Sequence, residues 1–165
     1  MSATLHVESR SIEQTMAVGA AVGRVARAGD VVGLIGELGA GKTQFVRGLA
    51  LGLGLDPQQV SSPTFVLAHE YEPAYDAAGA ARLVLVHIDA YRLGGGSDLD
   101  AVGWGDELLA GAVAAVEWAD IVRDALGDDW LEVQLVHSAV GRSITLSAHG
   151  DWLRRMKMMS CEPLA

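Results

Sequence analysis

The sequence predicts an α/β sandwich: a mixed, mostly parallel central sheet between two helical layers, with a β-hairpin at the C-terminal end. Three observations predict it. Val31-Val32-Gly33-Leu34-Ile35 is a short unbroken apolar run, which marks a strand covered on both faces. Strand and helix patterns alternate in the first half of the chain, as a parallel sheet requires. Strand patterns dominate the second half and finish with two runs separated by a glycine turn.

Residues 4–8 alternate weakly and predict a short first strand. Residues 11–28 read as a helix. Ser11 caps it with Gln14 three residues on, and Ile12, Met16, Ala20 and Val25 form an apolar stripe. Gly29-Asp30 turns the chain into Val31–Ile35. A second helix opens near Lys42 and runs through Phe45, Val46, Leu49 and Leu53 until Gly54 and Pro57 stop it. Residues 64–71 and 82–89 read as strands, joined by a loop that holds Pro73 and Gly79. Gly94-Gly95-Gly96 is a flexible break, and residues 97–109 give one or two short helical turns. Residues 111–118 are another apolar strand, and 119–126 a short helix ending at Gly127. Residues 131–137 and 142–149 form the final hairpin, turning near Gly141. Residues 1–150 then make one domain, and 151–165 a loosely ordered tail.

Composition narrows the function. A chain of 165 residues buries roughly 70% of its unfolded surface, enough for a real core. Acidic residues number 21 against 12 basic ones, so the net charge is −9. Such a surface repels DNA, RNA and anionic lipid, which argues against a DNA, membrane or nucleic-acid-coating role. The lone Cys161 excludes an intrachain disulfide and a cysteine-ligated zinc site. Residues 108–116, an apolar uncharged stretch, are about half as long as a membrane span. Residues 1–8 have no basic start followed by an apolar run, so the expected location is the cytoplasm.

One motif carries chemistry. Gly36-Glu37-Leu38-Gly39-Ala40-Gly41-Lys42-Thr43 matches G-x-x-x-x-G-K-[ST] at every fixed position, after a buried strand and before a helix. Gly36 and Gly41 can take φ > 0 and let the backbone curl around a phosphate without a Cβ clash. Successive N–H groups then point inward, and the helix N-terminus favours negative charge. Lys42, one of only two lysines in the chain, supplies a cation for the β- and γ-phosphates. The Thr43 hydroxyl is placed for a bridging Mg²⁺. The fold is therefore expected to be a three-layer P-loop NTPase.

Two further apolar strands end in a carboxylate. The run 83–89 ends at Asp89, which suits a Walker B acid, and 113–117 ends at Glu117. If both lie parallel to Val31–Ile35, the two acids converge on the γ-phosphate, where Glu117 would orient or deprotonate water. His87 reads as a satisfied sheet histidine, and Arg154, Arg155 and Lys157 as a solvated basic cluster. Trp104, Trp130 and Trp152 read as core-edge residues. The chain contains no asparagine, so the N-K-x-D element that reads guanine is absent and ATP is preferred.

With these residues in place, the chain resembles the TsaE (YjeE) family, small bacterial P-loop ATPases of the tRNA threonylcarbamoyladenosine pathway. The shared words are the P-loop 36–43, Ser62-Pro63-Thr64-Phe65, Asp89-Ala90-Tyr91-Arg92-Leu93 and Val116-Glu117-Trp118, in matching order and spacing. An acidic segment at 98–108 also has a counterpart in the family. The resemblance implies that Ser62-Pro63-Thr64 is a switch-I-like segment that senses the γ-phosphate, with Thr64 near Mg²⁺. It implies that Asp89 is the Walker B acid, and that Glu117 and Trp118 form a switch-II-like element with Glu117 needed for hydrolysis. It further implies TsaB and TsaD as partners, with tRNA met only through their complex. The looser Gly94-Gly95-Gly96-Ser97 departs from the family's usual acidic or proline-bearing stretch. Two alternatives remain at this point: a small-molecule phosphotransferase, and a non-catalytic nucleotide-gated binding module. Only Arg82 and Arg92 lie between Thr64 and Gly111, too few for the arginine-bearing lid that a phosphotransferase usually uses.

Overall fold

The computed structural model describes residues 2–63, 67–73 and 83–159. Its strands are β1 (Ala3–Ser9), β2 (Val31–Ile35), β3 (Ala68–Tyr71), β4 (Val84–Asp89), β5 (Ala112–Glu117), β6 (Leu131–Ser138) and β7 (Gly141–Ala148). They form one seven-stranded sheet in the order β1-β7-β6-β2-β5-β4-β3. The central strands β6, β2, β5 and β4 are mutually parallel. Both edges are antiparallel, through β7 and β1 on one side and β3 on the other. The expected mixed α/β sheet, parallel at its centre and with a C-terminal hairpin (β6–β7), is observed.

Alternation along each strand divides the core. Val32, Leu34, Val113, Ala115, Leu131 and Val133 face a layer built from α1 (Ile12–Val25), α2 (Lys42–Gly52) and a C-terminal helix. Val31, Ala112, Ala114, Val116 and Ile88 face the other layer. That layer is made of 3₁₀ turns at Gly96–Val102 and Ala119–Ala125 and the short α3 (Asp106–Leu109).

Helices α1 and α2 cross backbone against backbone. Gly19 and Gly23 on α1 meet Gly48 and Gly52 on α2. A Cβ at Gly48 would lie 2.0 Å from the Met16 carbonyl oxygen, and one at Gly19 would lie 2.2 Å from that of Phe45. No other residue type fits this crossing, which fixes α2 and the loop before it.

Some boundaries differ from the sequence expectation. α1 stops at Val25 rather than at residue 28, because the Arg27 N–H is taken by the Asp30 carboxylate and the chain turns there. Ser11 caps the helix as expected by accepting from the Gln14 N–H at 3.1 Å. Gln14, however, accepts from Arg10 rather than from Ser11. β3 begins at Ala68; residues 64–66 and 74–82 lie outside the described residues, including the expected start of one strand, part of the loop and the start of the next.

The largest correction is at the C-terminus. Part of the expected loose tail is α4 (Trp152–Met159), whose Trp152, Met156 and Met159 are buried in the α1–α2 core. Spacings of four and three residues put them on one helical face. Arg155 is not solvated: its guanidinium grips both oxygens of Asp30, one at 2.8 Å, and donates to the Val25 carbonyl at 3.2 Å. Trp130 and Trp152 lie inside the core rather than at its edge. Among the described residues no helix is long and apolar enough to cross a membrane.

Candidate functional site

Parallel register brings the predicted acids together. Leu34 of β2 pairs with Glu117 of β5, and Glu117 pairs with Asp89 of β4. All three strands therefore end at one edge, beside the loop that joins β2 to α2. A cleft of about 710 Å³ opens there, lined by Lys42, Thr43, Pro63, Asp89, Glu117 and Trp118 among others.

The loop 36–41 is curled by glycine. Gly41 (φ 104°) and Gly39 (φ 78°) take the left-handed region that a side chain resists. Gly36 does not; it is small because a Cβ there would lie 2.6 Å from the Leu135 carbonyl oxygen. Gly41 caps α2 without a side chain, so the first-turn N–H groups face the cleft with no capping group in the way. Glu37 is exposed, and Leu38, 87% exposed, lines the cleft. Ala40 is buried beneath the loop. Arg142 of β7 holds the loop from outside, donating to the carbonyls of Ala40 at 2.9 Å and Gly39 at 3.0 Å. No local motif could have marked Arg142, which is 102 residues from Ala40.

Lys42 is buried and donates to the carbonyls of Gly36 and Glu37, the latter at 2.9 Å. Its ammonium also sits 4.1 Å from the centre of the Trp118 ring. Burial pushes the ammonium below the ordinary lysine range, against the pull of Glu117, Asp89 and Asp120. Trp118 holds φ 57°, the one non-glycine residue at positive φ among those described, and its ring packs on Tyr91 at 4.9 Å.

Thr43 Oγ1 donates to Glu117 Oε1 at 2.8 Å. Burial pushes the Glu117 carboxyl up, but His87, the Thr43 hydroxyl and Lys42 outweigh it, and the net shift is down. Asp89 goes the other way. Burial raises it, the Tyr91 N–H at 2.9 Å holds it down, and the Glu117 charge pushes it up again. His87 is not a satisfied sheet histidine. It is fully buried, neither ring nitrogen has an aligned hydrogen bond among the described residues, and Nε2 lies 3.3 Å from Glu117 Oε1.

The structure thus gathers Lys42, Thr43, Asp89, Glu117 and Trp118 on one cleft, with Ser62 and Pro63 on its wall and exposed Arg92 at its rim. Thr64 lies outside the described residues. No group of three or more His, Cys, Asp or Glu among the described residues is placed to hold a metal by itself. The oxygens of Thr43, Asp89 and Glu117 are hard donors, which suit an ion shared with a phosphate ligand.

Residues 9–144 match the family model described as "Threonylcarbamoyl adenosine biosynthesis protein TsaE". Proteins named "tRNA threonylcarbamoyladenosine biosynthesis protein TsaE" are similar over most of the chain. The one from Treponema pallidum is 39% identical over 140 residues, covering 84% of this chain and 97% of its own. Those from Streptomyces coelicolor and Bacillus subtilis are 40% and 34% identical, covering 81% and 93% of this chain and 90% and 89% of their own. A solved structure, that of Bacillus subtilis YdiB, superposes with a TM-score of 0.73 at 30% identity, covering 97% of this chain and 96% of the other.

Proposed function

Because the chain belongs to the TsaE family of threonylcarbamoyladenosine biosynthesis proteins, we propose that it is a Mg²⁺-dependent ATP-hydrolysing subunit. It would support threonylcarbamoyl modification of tRNA next to the anticodon by driving the cycle of a TsaB–TsaD complex in the cytoplasm. The observation that carries this reading is the convergence of Lys42, Thr43, Asp89 and Glu117 on one cleft.

The loop amides and the α2 N-terminus hold the phosphates, and Lys42 leaves its own loop carbonyls to reach them. Thr43 and Asp89 would hold Mg²⁺ together with the phosphates. The bound ion would neutralise charge on the β- and γ-oxygens. When the Thr43 hydroxyl turns away from Glu117, that carboxylate becomes available to a water molecule. As an ionised carboxylate it orients the water and accepts its proton as the γ-phosphate bond breaks. Arg92 at the rim is the candidate for a cationic finger, but it stands in solvent. A finger is worth roughly 10³–10⁵ in rate, so hydrolysis in isolation should be slow. The net charge of −9 favours contact with tRNA through partners rather than directly.

The test is ATP turnover with and without TsaB–TsaD; equal rates reject the coupling. Glu117→Ala separates catalysis from gating. It should bind ATP normally, lose hydrolysis and lose support of tRNA modification. If modification survives, ATP binding alone suffices.

A further inference from the structure

One carboxylate oxygen of Glu117 has two neighbours of different kinds. Thr43 reaches Oε1 from the mouth of the phosphate cradle, at 2.8 Å. His87 reaches it from inside the sheet, at 3.3 Å. His87 pairs in register with Ala115, two residues before Glu117, so its ring lies on the same sheet face beneath the carboxylate. The Tyr71 ring lies 6.5 Å from the His87 ring, tilted against it. A fully buried imidazole with no aligned hydrogen bond is costly to a fold, and an aliphatic side chain would fill the space without that cost. The Glu117 carboxylate is the polar group within reach of the ring.

We propose that His87 is a positioning residue for hydrolysis: its Nε2–H holds the Glu117 carboxylate at the end of β5 once the Thr43 hydroxyl has left it. This rests on the hydrolytic reading above. In the free protein the Thr43 hydroxyl donates to Oε1 and the His87 ring lies beside it. When Thr43 turns toward a metal ion, His87 is the neighbour that stays, because it sits on β4, which pairs in register with the strand that carries Glu117. Without His87, the carboxylate is drawn toward the positive charges in the cleft and no longer faces the water it must orient.

Two measurements test this. The first is ¹⁵N NMR of histidine-labelled free protein. The His87 ring signals should move in Glu117→Gln and again in Thr43→Val; unchanged signals in Glu117→Gln overturn the contact. The second compares His87→Leu with His87→Gln, which keeps a donor near the Nε2 position. In the presence of TsaB–TsaD, His87→Leu should lose roughly tenfold to a hundredfold in kcat. Its ADP affinity should stay within about twofold, and His87→Gln should recover much of the loss. A parallel fall of kcat and ADP affinity in both variants marks a merely structural role and overturns the proposal. If His87→Leu does not fold, an unrecovered kcat in folded His87→Gln, together with silent NMR, does the same. A wild type that hydrolyses nothing rejects the hydrolytic reading itself. A wild type that turns over no faster than His87→Leu rejects only the role of His87.

Discussion

Two cations are buried at opposite ends of β2. Lys42 follows the loop after the strand, and Arg155 grips Asp30 just before it. Both are shielded from water, at 6% and 3% exposure. Arg155 is matched in charge: Asp30 takes it in a fork, Asp151 lies 3.3 Å from its Nε without an aligned hydrogen bond, and its guanidinium stacks 4.0 Å from the Trp152 ring. Among the described residues Lys42 touches only carbonyls and an aromatic face, with its carboxylates acting at a distance. Burial lowers both, but for Arg155 the bond to Asp30 more than reverses the effect, while Lys42 stays depressed. A matched buried charge secures a helix. An unmatched one is an unfilled demand for an anion, which is what a phosphate site must keep.

Breaking the matched pair should have the largest effect. Arg155→Leu strands a little-exposed carboxylate at Asp30 and should cost about 3–5 kcal/mol of stability. Urea unfolding measures it, and the ADP affinity of the folded fraction should not change. A loss of affinity at constant stability would contradict the division of labour.

Removing the unmatched charge should do the reverse. Lys42→Ala should weaken ATP binding by about 1.5–3 kcal/mol, the worth of a charge-assisted contact. The melting temperature should hold or rise, because no partner carboxylate is stranded. Calorimetry showing undiminished affinity would contradict the phosphate cradle.

Alkaline pH sharpens the contrast most gently. The Lys42 pKa is lower in the folded than in the unfolded chain, so between those two values the unfolded chain binds more protons. As pH rises through the folded value, the burial cost of the charge disappears and stability gains slightly. ADP affinity falls over the same window as the cation is lost. Arg155 stays charged throughout and contributes no such change. Stability and affinity falling together would show that Lys42 is matched after all.

Much of this site was legible in the sequence. The 36–43 motif fixes residue types at fixed spacing, and Asp89 and Glu117 each close an apolar run, so their convergence followed once the strands were parallel. His87 was misread because alternation tells which face a residue takes, not whether a partner waits there. In α4 the signal was present, since Trp152, Met156 and Met159 keep a helical stripe. Arg154, Arg155 and Lys157 between them disguised it as a polar tail. Arg142 and the left-handed turn at Trp118 depend on contacts distant in sequence and left no local mark.

The four glycines where α1 crosses α2 carry a mechanical consequence. No cushion of side chains separates the two backbones there, so nothing soft is available to shear. That side of the helical layer therefore acts as an anvil. By contrast Tyr91 and Trp118, which line the cleft, meet through side chains.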